Sequence, residues 1–147
     1  MMKQFMETAI KQAEKAFAEG EVPVGAVIVK DGRIIASAYN LCKTEHDPTA
    51  HAEMVAIRRA LADSNMRNLA GCEAYVTLEP CPMCAWALLT CRVSRIIYGA
   101  GEYEYGALGG RYNLAEKSFG PVEIIGGICE EKCAGLLREF FKEKRES

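Results

Sequence analysis

EAYVTLEPCPMCAWALLTCRVSRIIYGA, residues 73–100, decides how the rest of the chain is arranged. It opens on EAYVTL (73–78) and closes on RIIYGA (95–100), two short runs rich in β-branched and aromatic side chains. Such runs predict strands. Between them, Pro82 to about Cys91 reads as a helix, since proline suits the first helical turn. Two strands joined through a helix predict a parallel pair, because parallel neighbours need a crossover.

Working outward, residues 3–19 carry Phe5, Met6, Ala9, Ile10, Ala13, Ala16 and Phe17 at helical spacing, and Gly20 ends the pattern. VGAVIVK and RIIASAY flank Asp31-Gly32, a strong hairpin signal. Residues 40–47 are polar and aperiodic, hence loop. Pro48 is expected to start a second helix with Ala52, Val55, Ala56, Ala60 and Leu61 on its apolar side. The Gly- and Tyr-rich stretch 101–120 reads as a long loop holding a short helix. VEIIGG (122–127) is a fifth strand, and CEEKCAGLLREFFKEKR (129–145) a closing amphipathic helix. The expectation is one α/β domain over residues 1–147, layered around a five-stranded mixed sheet.

Composition limits the function. The chain has 147 residues, with 18 basic and 20 acidic side chains and a formal net charge of −2. That balance argues against a generic polyanion binder but leaves room for a local basic patch. No run approaches the ~18 apolar residues of a membrane span. The first 17 residues lack a signal-peptide core, so a reducing cytosol is expected. Seven cysteines, an odd number, make a poor disulfide framework.

The chemistry sits in two short motifs. Cys81, flanked by Pro80 and Pro82, and Cys84 lie three apart at a helix opening and so point to one side. The helix's free N–H groups there favour thiolate over thiol. His51 and Glu53 fall in HAE (51–53), near the expected start of the second helix. Two thiolates and one imidazole are a standard zinc set, and three ligands leave a position for water. Glu53, two residues from His51, is a poor co-ligand on an ideal helix but can serve the water as a proton acceptor. Rival readings stay open: a redox pair, or a closed zinc site with His46, Cys42, Cys91 or Cys129 as fourth ligand. Cys72 and Cys133, with the other remaining cysteines, read as small core or surface residues.

HxE followed by PCxxC resembles the zinc-dependent nucleobase and cytidine deaminases. GEVPVGAVIV (20–29), DPTAHAEMVAIR (47–58), YVTLEPCPMCA (75–85) and EKCAGLLREFF (131–141) are similar to the bacterial tRNA-specific adenosine deaminases, and the resemblance covers nearly the whole chain. It implies a three-layer α-β-α fold and a cytoplasmic homodimer. It also implies one Zn2+ on His51, Cys81 and Cys84, with Glu53 as proton shuttle. Asn40 would hydrogen-bond the base, the backbone near Ala52 and Glu53 would line the pocket, and the helix end with Phe140, Phe141, Lys142, Lys144 and Arg145 would stack a base and hold phosphates. The implied reaction converts wobble adenosine to inosine in a tRNA anticodon loop, releasing ammonia.

Two segments depart from that family. Glu102 and Glu104 stand where the family carries a basic side chain, and Ser118-Phe119-Gly120-Pro121 replaces its Asn-His-Arg. Carboxylates facing phosphates weaken RNA binding, which keeps a guanine- or cytosine-type free-base deaminase as the alternative. A zinc-stabilised, non-catalytic binding subunit is the rival of another class. Phe140 and Phe141 read equally as core. Trp86, where the family has a small residue, is expected to pack rather than to line the pocket.

Overall fold

The Asp31-Gly32 signal becomes a tight turn in the computed structural model of the chain, which describes residues 1–146. It joins β1 (Gly25–Lys30) to β2 (Arg33–Tyr39), and both turn residues have positive φ, 51° and 75°. This is the geometry that matches the natural twist of paired strands, and Gly32 meets it without steric cost. β3 (Cys72–Leu78), α3 (Pro82–Thr90) and β4 (Arg95–Ala100) follow the expected crossover, and β3 and β4 pair in parallel.

The full sheet has the order β2-β1-β3-β4-β5, with β5 (Glu123–Ile125) parallel to β4. β1 is antiparallel to both β2 and β3, so the sheet is mixed. Arg95 spans three strands at one end, reaching Glu73 at 2.8 Å and Glu123 at 2.6 Å.

Alternation along the central strands separates two cores. Ala26, Ile28, Ala74, Val76 and Ile96 face α2 (Ala52–Ser64) and α3, where Ala56, Ala60, Leu88 and Leu89 are buried. Val27, Val29, Tyr75 and Ile97 face the other way, onto Met6, Ala9 and Ile10 of α1 (Met2–Ala18) and Cys133 of α4 (Glu130–Glu146). Covering both faces explains why these strands read as continuous apolar runs. The result is the three-layer α-β-α arrangement with a five-stranded mixed sheet.

Three expectations need correction. α2 begins at Ala52 rather than at Pro48. Asp47 accepts hydrogen bonds from the Thr49 N–H and hydroxyl, at 2.8 and 2.7 Å, and this local turn holds the chain out of the helix for four residues. β5 keeps three residues of the six expected, and α4 starts just after Cys129, whose φ is 57°. The short helix in the 101–120 loop is a single 3-10 turn at Leu114–Lys117. All seven cysteines are free thiols. No helix among the described residues is long and apolar enough to cross a membrane.

Candidate metal centre and substrate cleft

His51 is the last residue before α2 and Cys81 the last before α3, both in extended conformation (ψ 152° and 172°). Pro82 occupies the opening of α3, and Cys84 sits in its first turn, fully buried. Two helix starts thus meet at the carboxyl end of β3, where sheets of this kind place their ligands. His51 Nδ1 lies 3.7 Å from Cys81 Sγ and 3.4 Å from Cys84 Sγ. A tetrahedral zinc with ordinary bond lengths sets its nitrogen and sulfur ligands about 3.6 Å apart. The donor set therefore fits zinc in chemistry and in spacing.

Among the described residues this is the one group of three or more potential ligands whose donor atoms lie within 4.8 Å of one another, and it has three members. His46 is exposed with φ 52°, and Cys42, Cys91 and Cys129 lie outside the group. Among the described residues no fourth protein donor closes the site.

The protons on these donors are already unevenly shared. The hydrogen bond from Cys84, helped by His51 and opposed by burial, holds Cys81 down at about 4. The same bond to Cys81, with burial, pushes the Cys84 thiol up. The hydrogen bond with Cys81 raises His51. Loading a metal therefore replaces protons on this set.

Glu53 is 4 % exposed. Burial raises its carboxyl to about 7, against smaller opposing effects of its own backbone N–H and His51. A cation on the three donors would draw that value down. The helical-facing objection to Glu53 does not apply, because His51 precedes the helix and only Glu53 lies on it. Imidazole and carboxyl therefore line the same cleft.

That cleft encloses about 430 Å³. Val22, Val24 and Leu78 give it apolar walls, and Asn40, Glu102 and Tyr105 are polar groups along it. A groove of similar size between α1 and α4 is lined by none of His51, Glu53, Cys81 and Cys84. Asn40 Oδ1 accepts the Ala52 N–H at 2.7 Å. Its acceptor is thus used in capping α2, and its Nδ2 is the group left for a ligand.

Other expected binding residues lie elsewhere. Ala52 is fully buried with its N–H committed to Asn40, so its amide is not offered to the cleft. Phe140 is 6 % exposed and packs edge-on against Phe17, which makes it core. Phe141 and Lys142 line a separate groove along α4 with Arg138 and Arg145. Trp86 packs against Phe119, ring centres 5.5 Å apart, and does not line the cleft. Glu79 and Tyr105 were missed as cleft residues. Glu79 had one signal, a carboxylate set directly between an apolar strand and Pro-Cys.

The profile of the family described as "Cytidine and deoxycytidylate deaminase zinc-binding region" matches residues 1–100. A tRNA-specific adenosine deaminase of Bacillus subtilis (strain 168) is 46% identical over 143 residues, 96% of this chain and 89% of that protein. A structure solved in work on A-to-I editing by tRNA:A34 deaminases at the wobble position superposes with a TM-score of 0.88. It is 38% identical and covers 91% of this chain and 99% of its own. A guanine deaminase from Bacillus subtilis is also 38% identical, with a TM-score of 0.65, over 79% of this chain and 69% of that one.

Proposed function

Because the chain belongs to the cytidine and deoxycytidylate deaminase family, and within it to the tRNA-specific adenosine deaminases, we propose that it hydrolyses the wobble adenosine of a tRNA anticodon to inosine and ammonia. The observation that carries this reading is a buried carboxyl, Glu53, sharing one cleft with a three-donor zinc set that no fourth protein group closes.

In this reading His51, Cys81 and Cys84 hold one zinc ion. When bound, zinc would lower the pKa of the attacking water toward neutrality and so supply the nucleophile for C6 of adenine. Glu53 takes the proton that the water gives up. It passes that proton to ring N1, then takes the second proton from the hydroxyl now on C6 and gives it to the departing amine, so water and adenosine become ammonia and inosine. A carboxylate within reach of both the water and the base can accept a proton and return it. Asn40 Nδ2 donates to an acceptor on the base, and Val22, Val24 and Leu78 keep bulk water out. The target base must leave its stack to enter, which an anticodon-loop nucleotide does cheaply.

Two measurements test this. Glu53→Ala should retain one zinc per chain and lose ammonia release by at least ~100-fold; surviving activity would overturn the shuttle role, and an inactive wild type would favour the non-catalytic binding subunit. An anticodon stem-loop should be compared with a panel of free bases. Inosine in the stem-loop alone supports the proposal, whereas ammonia from guanine or cytosine alone overturns it. That free-base reading has one specific support, the Glu102 carboxylate on the cleft wall, which repels phosphate and suits a base carrying N–H donors.

The same reading makes the enzyme a cytoplasmic homodimer. Seven free thiols support a reducing compartment. The exposed apolar side chains Met83, Trp86 and Phe119, two of them on α3, support a second copy at that face. Sedimentation of wild type and Trp86→Glu should give dimer and monomer respectively.

A further inference from the structure

Glu79 is a buried carboxylate with no part in the chemistry above. It is 2 % exposed, and it stands between the end of β3 and the metal-type donor Cys81. Its two oxygens accept three backbone N–H groups from one loop. Oε1 accepts Glu102 at 3.0 Å; Oε2 accepts Leu108 at 3.0 Å and Gly110 at 2.8 Å. The neighbouring backbone adds the Ala107 N–H to the Pro80 carbonyl at 2.9 Å. The segment 102–110 is thus wrapped around a single side chain.

The wrapping is close enough to require glycine. A Cβ at either Gly106 or Gly110 would strike the Glu102 carbonyl oxygen first, and would also lie 2.5 Å from Glu79 Cδ at Gly106 and 2.7 Å from Glu79 Oε1 at Gly110. Real Cβ atoms do not approach that near, so two bare backbones are needed for the carboxylate to be enclosed. The wrapped loop is also the one that delivers Glu102 and Tyr105 to the cleft.

We propose that Glu79 is a positioning residue for substrate recognition: its carboxylate sets the 102–110 loop and, through it, the Glu102 and Tyr105 side of the cleft. The proposal rests on reading the cleft as the deaminase site. A carboxylate is suited to the task because it is acceptor-only and can satisfy several N–H groups at once. Glutamine has one oxygen, so it can keep the Leu108 and Gly110 bonds only by turning its NH2 group toward the Glu102 N–H. Glutamine should therefore release Glu102 alone, and alanine the whole loop.

The test compares Glu79→Gln and Glu79→Ala with wild type on an anticodon stem-loop, with zinc content and amide exchange measured in parallel. Glu79→Gln should raise KM about 3- to 10-fold and Glu79→Ala at least 30-fold, since small displacements of binding groups are costly. For both variants kcat should stay within threefold and zinc at one per chain. Amide exchange at Glu102 should speed up in Glu79→Gln, and at Glu102, Leu108 and Gly110 in Glu79→Ala. The proposal is overturned by an unchanged KM, by kcat and zinc falling together in place of a KM effect, or by unchanged exchange at these amides. If wild type makes no inosine, the proposed function fails; exchange in Glu79→Gln then still decides whether Glu79 holds the loop. If Glu79→Ala does not fold, Glu79→Gln alone carries both readouts.

Discussion

In the proposed reaction Asn40 has two tasks for one amide, and they can be separated. Its Oδ1 holds the Ala52 N–H at the start of α2, while its Nδ2 is free for the base. Asn40→Asp keeps the acceptor and loses the donor; Asn40→Ala loses both. Asn40→Asp should therefore melt near the wild-type temperature but lose about 10- to 100-fold in kcat/KM, the value of a polar contact or two. Asn40→Ala should lose catalysis as well and cost about 1 kcal/mol of stability, as removal of a helix cap does. Calorimetry beside steady-state kinetics distinguishes the two roles. At this scale the sequence was most legible where function is local. Cys81 and Cys84 are three apart on one helix opening, so their spacing alone predicts a shared side. The fate of Ala52 was not legible, because its N–H goes to a side chain twelve positions earlier that folding brings back.

Among elements, the loop before α2 is built like the loop after β4, around a buried carboxylate. Glu21, 3 % exposed, accepts the Lys43 N–H at 3.1 Å, the Thr44 N–H at 2.6 Å and the Thr44 hydroxyl at 2.7 Å. Burial raises its pKa, but the Thr44 and Lys43 hydrogen bonds together outweigh this, leaving it below the ordinary 4.5. A carboxyl depressed in the folded state contributes stability in full above its unfolded value, and that contribution is lost as pH falls through the folded one. Wild type should thus lose melting temperature below about pH 4.5 in a way that Glu21→Gln does not; parallel curves from pH 7 to 3 would refute this. Elements with strong periodicity, α1 and the central strands, were read from sequence nearly to their ends. The start of α2 was misread because Pro48 is an acceptable first helical residue, and the Asp47–Thr49 turn that overrules it is a side-chain effect. The end of α4 was ambiguous for another reason. Phe140 and Phe141 are adjacent and in edge-on ring contact, but Phe140 is buried against Phe17 while Phe141 is 45 % exposed.

For the molecule as a whole, metal and fold are separable in degree. Each face of the sheet has its own apolar core, one with α2 and α3 and one with α1 and α4, and neither is made of metal ligands alone. Zinc should therefore add to stability without being needed for the fold, unlike the metal of a zinc finger. At a thousandfold excess over its Kd, a ligand of the native state adds about 4 kcal/mol. For a chain of this size that is a rise of about 8–16 °C in Tm. Chelation should lower Tm by that amount and leave the far-ultraviolet circular dichroism of the folded protein in place. An apo protein without secondary structure would contradict this. The order of strands was legible in outline, since the hairpin and the crossover each dictate a neighbour. The pairing of β1 with β3 was not, because nothing local specifies it.

Glu79 grips the 102–110 loop through main-chain N–H groups alone, and this makes the loop an exchangeable cassette. The anchor is blind to side-chain identity except at Gly106 and Gly110, where any Cβ intrudes, at Gly109, whose φ is 126°, and in excluding proline, which has no N–H to give, from 102 and 108. Positions 102 to 105 can thus be randomised for new substrates while the clasp, the metal donors and the sheet stay as they are. A library confined to those four positions should retain zinc and melting temperature in most members, giving directed evolution of specificity a scaffold that tolerates its own variation.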